Sequence, residues 1–229
     1  MVNDQRSIGV SPGDPVVGRP LPVVRFFAYF FSVLFHPLFI PLYVVGFLIS
    51  FHPSFFSGFG DFEKKSLLFT TILNTLLFPL LSVLLMKGLG FIRSVFLHTQ
   101  QDRIAPYLSA MIFYFWAAWV YFKFEPQLSP VLSSFMTGVV ISSVVALLAN
   151  IYFKISMHAI GCGGMIGLMI VVLNTNPSSP FTLPLMIAIV ITGLVSTARL
   201  IVSDHKQGDI YMGFFCGFFC QFVSAAFIL

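Results

Sequence analysis

Two short stretches of this sequence hold most of the residues that could do chemistry. One is Lys154-Ile155-Ser156-Met157-His158; the other runs from Arg199 to Asp209, with His205 six residues after the Arg and four before the Asp. An imidazole near neutral pH can attack an electrophile or move a proton. Arginine keeps its charge when partly desolvated, and its planar fork matches phosphate oxygens. An Asp within helical reach of a His can orient the ring and raise its basicity. Together His158, His205, Arg103, Arg199, Lys154 and Asp209 compose a candidate site for metal-free phosphoryl transfer. In such a site one imidazole attacks phosphorus, the other protonates the departing oxygen, and the cations stabilise the equatorial oxygens.

These residues must be positioned by a membrane-embedded scaffold. Of 229 residues, 58% are hydrophobic and 9% charged, with a mean hydropathy of +0.96. A soluble domain carries roughly 25% charged residues, so this chain could not cover a globule facing water. Apolar runs near the length of a bilayer-spanning helix recur. They predict seven segments: Val23–Phe51, Leu67–Met86, Ile104–Phe122, Val131–Phe153, Ala159–Leu173, Leu183–Val202 and Ile210–Leu229. The expected fold is all-α, a polytopic transmembrane bundle of about six to seven spans, forming one domain over 23–229 behind a flexible polar tail at 1–22. That tail lacks the pattern of a cleaved signal peptide, so the first span is expected to act as a signal-anchor. The first segment contains His36-Pro37 and Ile40-Pro41 and should kink or tilt. The fifth is rich in glycine (Gly161, Gly163, Gly164, Gly167), as close helix contact or a partly re-entrant segment requires, and Gly213 and Gly217 offer a second small-residue face.

Parity decides which residues share a side. The fifth and sixth segments go there and back, so His158 and His205 return to one face although they are 47 positions apart. Arg103 ends on that face too. Nine Lys and Arg lie in the tail-side connections and three on the other side, or six against three when Arg103, Lys154 and Arg199 are set aside. The positive-inside rule therefore predicts a cytoplasmic N-terminus and motif face, in a membrane of the bacterial inner type.

The spacing Arg199-x5-His205-x3-Asp209 resembles the third signature of the type-2 phosphatidic acid phosphatase superfamily, Ser-Arg-x5-His-x3-Asp. Ile155-Ser156-Met157-His158 resembles a diverged form of its second, Pro-Ser-Gly-His, and the order and intervening two-helix hairpin also match. Asp102-Arg103-Ile104-Ala105-Pro106 stands where the first, Lys-x6-Arg-Pro, would fall, with Phe96 at the place of its Lys; Lys154 and Arg93 are the cations that could substitute. Ala198 stands before Arg199 instead of Ser. The resemblance covers Arg103 to Leu229. It implies that His205 is a nucleophile forming a phosphohistidine, that Asp209 orients it, and that His158 is the acid for the leaving group. It further implies that Arg199 and Arg103 hold phosphate oxygens, with help from the Ser156 hydroxyl or nearby amides. The implied substrate is a membrane lipid phosphate or isoprenyl diphosphate, with no metal and no cofactor.

A second class remains beside this one: a non-catalytic transporter or lipid-binding membrane protein whose Arg and His residues hold an anionic head group. Its hallmark would be paired broken helices at midplane. A metal-dependent phosphotransferase would need several converging carboxylates, and the motif face offers only Asp102, Asp204 and Asp209. No nucleic-acid-binding motif occurs, and the oligomeric state is left open. Cys162, Cys216 and Cys220 read as small packing residues. His36 and His52, each before a proline, read as kink or interface features, and His98 as a candidate lining residue. Asn74 and Asn150 are expected to bond across helices. Trp116, Trp119 and Tyr121 are expected to form an interfacial belt, and Asp61, Glu63, Lys64 and Lys65 a solvated loop on the far side.

Overall fold

A computed structural model describes residues 20–92, 94, 100–124, 127–175, 181–203 and 205–229. Among them every regular element is helical: α1 (Pro22–Leu34), α2 (Ile40–Phe51), α3 (Asp61–Thr71), α4 (Phe78–Gly88), α5 (Gln100–Phe122), α6 (Pro130–Tyr152), α7 (Met157–Thr175), α8 (Thr182–Val202) and α9 (Gln207–Ile228). A 3₁₀ turn at Pro53–Phe56 follows α2, and a π-helical stretch at Ile72–Leu77 joins α3 to α4. Six continuous helical stretches among these residues are long and apolar enough to cross a bilayer: the joined Asp61–Gly88 and one in each of α5 to α9. The architecture is an all-α polytopic bundle. Its outside carries large apolar side chains such as Phe69, Leu85, Trp116 and Phe219, as contact with lipid tails permits.

The first expected segment is two helices rather than one kinked span. Proline disfavours helix at the residue before it, and Pro37 follows His36 at the break. Pro41 instead falls in the first turn of α2, where its missing N–H costs nothing. With 13 and 12 residues, α1 and α2 reach about 20 and 18 Å, short of the ~30 Å hydrocarbon core. They also take different partners: α1 lies against α8, and α2 against α3 and α7.

Pro79 has a related effect inside the second segment. Lacking an N–H, it disturbs the hydrogen-bond ladder of the preceding turn, and the turn before it is π-helical. Side chains of that region bond back onto carbonyls. Thr71 Oγ1 donates to Leu67 O at 2.8 Å, Asn74 Nδ2 to Thr70 O at 2.9 Å and Thr75 Oγ1 to Thr71 O at 2.9 Å. Asn74 therefore bonds within its own helix, not across to another. Tyr121, 1% exposed, leaves the expected aromatic belt for a 2.6 Å hydrogen bond with Thr71, because a buried phenol needs a polar partner. Trp116 and Trp119 remain outside, with Lys123 Nζ 5.4 Å from the Trp119 ring centre. Asp61 to Lys65 are helical rather than a loop. Asp61 and Glu63 occupy the first turn of α3, where carboxylates complement the helix dipole.

The core that positions the motif residues is the crossing of α7 with α9. At Gly217 an added Cβ would collide with Ile160 O, and at Gly163 with Phe214 O. No side chain fits at either place, so the two backbones touch, as small-residue faces in membranes allow. Glycine in the fifth segment thus serves close contact in a full-length span.

Replacing Gly217 by Ala should lower the Tm in detergent by several degrees, since overpacking typically costs ~1–3 kcal/mol. Gly193→Ala, in α8 with nothing within 4 Å of the new methyl, should leave the Tm unchanged or raise it, because Ala outranks Gly in helices. Equal melting shifts for the two variants would contradict the contact described.

Candidate active site

The α7–α9 crossing brings the two motifs into register. The Ser156 N–H donates to Asp209 O at 3.1 Å, which ties the turn before α7 to the first turn of α9. Gly213 lies beneath this joint: a Cβ there would come within 2.6 Å of Ser156 O. The first motif segment therefore continues directly into helix, and His158 sits in the first turn of α7 rather than in a connecting turn.

His205 lies in the link between α8 and α9, its side chain 4% exposed, with Nδ1 3.2 Å from Asp209 Oδ2. The same carboxylate oxygen accepts the Lys206 N–H at 3.0 Å, the side-chain half of a capping box on α9. Asp209 thus has one fixed position and two tasks. A carboxylate only accepts, so Nδ1 of neutral His205 carries the hydrogen and Nε2 keeps its lone pair. Three cations, Arg199, Lys154 and Arg103, act on this imidazole electrostatically. Burial first, then these charges, push the His205 pKa down from 6.5 to about 4, while Asp209 pulls it upward. At neutral pH the ring is uncharged and nucleophilic.

His158 belongs to the same cluster. Arg199, His36 and His205 all lie within its electrostatic range, and its Nε2 is 2.9 Å from Ser32 O on α1. Its ring meets that of His36 edge-on, with centroids 5.2 Å apart. Arg199, in the last turn of α8, interacts with Arg103 and with Tyr29 of α1. Arg103, in the first turn of α5, also reaches Tyr107 one turn on. The Oγ of Ser156 and the Nε of Arg199 are buried without a hydrogen-bond partner among the described residues. The Ser156 amide, by contrast, is committed to Asp209.

All seven expected site residues (Arg103, Lys154, Ser156, His158, Arg199, His205 and Asp209) are thus linked by direct contact or by mutual charge effects. Arg93, Phe96, His98 and Asp204 lie outside the described residues, as does the tail at 1–19. Sequence reading missed that α1 and the break after it reach the site: Tyr29, Ser32 and His36 all meet the cluster. His36 does stand at a helix break, as its proline predicted, but it also touches His158. His52 is buried among aromatic rings and packs on Phe181, with centroids 4.2 Å apart and the rings tilted by 31°.

Between α8 and α9 a cavity of about 310 Å³ opens, lined by Thr192 and Leu200 on one side and Gln207, Tyr211 and Phe215 on the other. In the chain, Leu200 follows Arg199 and Gln207 is two residues past His205. In comparisons with protein-family models, curated proteins and solved structures, nothing matches the chain.

The depressed pKa of His205 gives a signed expectation. Between about 4 and 6.5 the unfolded chain binds the proton that the folded chain refuses, so stability falls as pH drops through that window. Histidine NMR should show His205 titrating near 4, Asp209→Asn should lower that value further, and added inorganic phosphate should raise it. A His205 titration near 6.5 in the wild type, unmoved by phosphate, would contradict the cationic enclosure.

Proposed function

We propose that the protein is an integral-membrane lipid phosphatase or phosphotransferase that acts through a phosphohistidine without a metal ion. The observation that supports this best is the pairing of a neutral, Asp209-oriented His205 with three surrounding cations. The guanidiniums of Arg199 and Arg103 and the Lys154 ammonium are suited to hold the oxygens of a phosphate monoester or diphosphate. Arg199 Nε and Ser156 Oγ, which have no hydrogen-bond partner among the described residues, are donors of the kind such a group would engage.

The steps balance on these residues. His205 Nε2 attacks phosphorus, the N–P bond forms, and the bond to the lipid oxygen breaks. His158 gives its proton to the departing alkoxide. Water then attacks phospho-His205, His158 takes a proton from that water, and inorganic phosphate leaves. The net reaction converts a lipid phosphate and water into the lipid alcohol and phosphate. An acceptor alcohol in place of water would make the protein a phosphotransferase. The apolar cleft between α8 and α9 suits the substrate's hydrocarbon chain, with the head group at its inner end. The excess of Lys and Arg on the motif side supports a site facing the cytoplasm, with the membrane lipid itself as partner.

Purified protein in detergent with EDTA should release phosphate from phosphatidate or an isoprenyl phosphate. His205→Ala should reduce this by about three orders of magnitude or more, the scale of losing a nucleophile. Protein quenched in alkali should carry an acid-labile phosphoramidate in the wild type and none in His205→Ala. Undiminished turnover in that variant would refute the assignment. Phosphate-lipid binding without turnover in the wild type would favour the non-catalytic binder.

A further inference from the structure

The last turn of α1 and the break after it give His158 two contacts that no motif residue supplies. The first is the Ser32 carbonyl, 2.9 Å from His158 Nε2. A carbonyl oxygen only accepts, so Nε2 carries the hydrogen and the neutral ring keeps its lone pair at Nδ1. The second is the His36 ring, set at 85° to that of His158 with centroids 5.2 Å apart. His36 is itself tied to its turn, because its Nδ1 accepts the Leu38 N–H at 3.4 Å. Pro37 packs on α7 as well: its Cα would lie 3.6 Å from a Cβ placed at Gly161, three residues past His158. The turn is therefore anchored to the helix whose first imidazole it holds.

We propose that His36 is a positioning residue, whose ring, with the Ser32 carbonyl, holds His158 as the Nε2–H tautomer and leaves Nδ1 as its proton-exchanging nitrogen. The proposal rests on the acid–base role given above to His158. Turning the His158 ring over would surrender the Ser32 hydrogen bond and present the Cε1–H to that carbonyl instead. Besides His36, the charged and titratable groups acting on His158 are Arg199 from α8 and His205 from the α8–α9 link. His158 and His205 thus expose opposite nitrogens. His205 is held at Nδ1 by Asp209 and His158 at Nε2 by Ser32, so Nε2 of one and Nδ1 of the other are left for substrate.

The test uses the full chain in detergent micelles, labelled with ¹⁵N-histidine, as wild type, His36→Phe and His36→Ala. Long-range proton–nitrogen spectra should show neutral His158 as the Nε2–H form in the wild type and in His36→Phe, which keeps an aromatic edge. His36→Ala should mix the two tautomers. An Nδ1–H form in the wild type, or an unmixed Nε2–H form in His36→Ala, would overturn the proposal; the wild-type spectrum decides even where a variant does not fold. In turnover, His36→Ala should lose ~10²-fold in kcat/KM on an alkyl phosphate, whose leaving group needs the acid. It should lose much less on a nitrophenyl phosphate, whose leaving group does not. Equal losses on both would mark a merely structural role and sink the idea. Absence of turnover in the wild type would instead count against the phosphatase function, and the tautomer spectrum would still decide this point.

Discussion

The constraint on which the rest depends is the direct approach of the α7 and α9 backbones. Two apolar helices in lipid gain little by hiding apolar surface from water, because the surroundings are equally apolar. What holds them is close contact, and here Gly163, Gly213 and Gly217 remove the side chains that would prevent it. The crossing also fixes chemistry. Ser156 N–H donates to Asp209 O, so the stretch leading into His158 is joined to the residue that orients His205. The relation of the two imidazoles therefore depends on helix packing, through the joint between the turn before α7 and the first turn of α9.

Charge placement makes the same point from another side. Arg199 at the C-terminal end of α8 sits where a cation complements the helix dipole, so its position has an explanation in helix stability alone. Arg103 does not. It occupies the first turn of α5, where the dipole disfavours a positive charge, and it interacts with Arg199 besides. Two guanidiniums held in mutual range are costly in a partly desolvated place. An anion between them would turn that cost into binding. The dipoles of helix ends account for Asp209, Asp61 and Glu63; they do not account for Arg103, which also interacts with Tyr107.

Much of the scaffold was legible because bilayer thickness forces long apolar runs, and such runs need no tertiary knowledge to find. The return of His158 and His205 to one face followed from parity alone. Legibility ended where interactions were not periodic. A His-Pro pair reads as a kink, and the chain does break there, but nothing in its spacing says that α1 then meets α8 or that Ser32 and His36 reach His158. Tyr121 was misread because aromatic type alone suggests an interface, while its burial depends on Thr71 fifty residues earlier. Asn74 bonds to the Thr70 carbonyl one turn back in its own helix, a local partner that residue type and spacing do not distinguish from the expected cross-helix one.

The proton inventory ties these strands together. Without substrate, His205 is uncharged at neutral pH, since burial and three cations outweigh Asp209. A nucleophile needs that state; an acid needs the opposite one. The two imidazoles lie in one cationic enclosure, so the enclosure alone cannot supply both. What can separate them is the arriving phosphate, whose negative charge compensates the cations and favours a proton on the imidazole that is not attacking. Under the proposed function the substrate is thus part of the acid–base machinery. The Asp209 and Ser32 acceptors decide beforehand which nitrogen of each ring is free, so the incoming charge has one proton to recruit and one lone pair to meet.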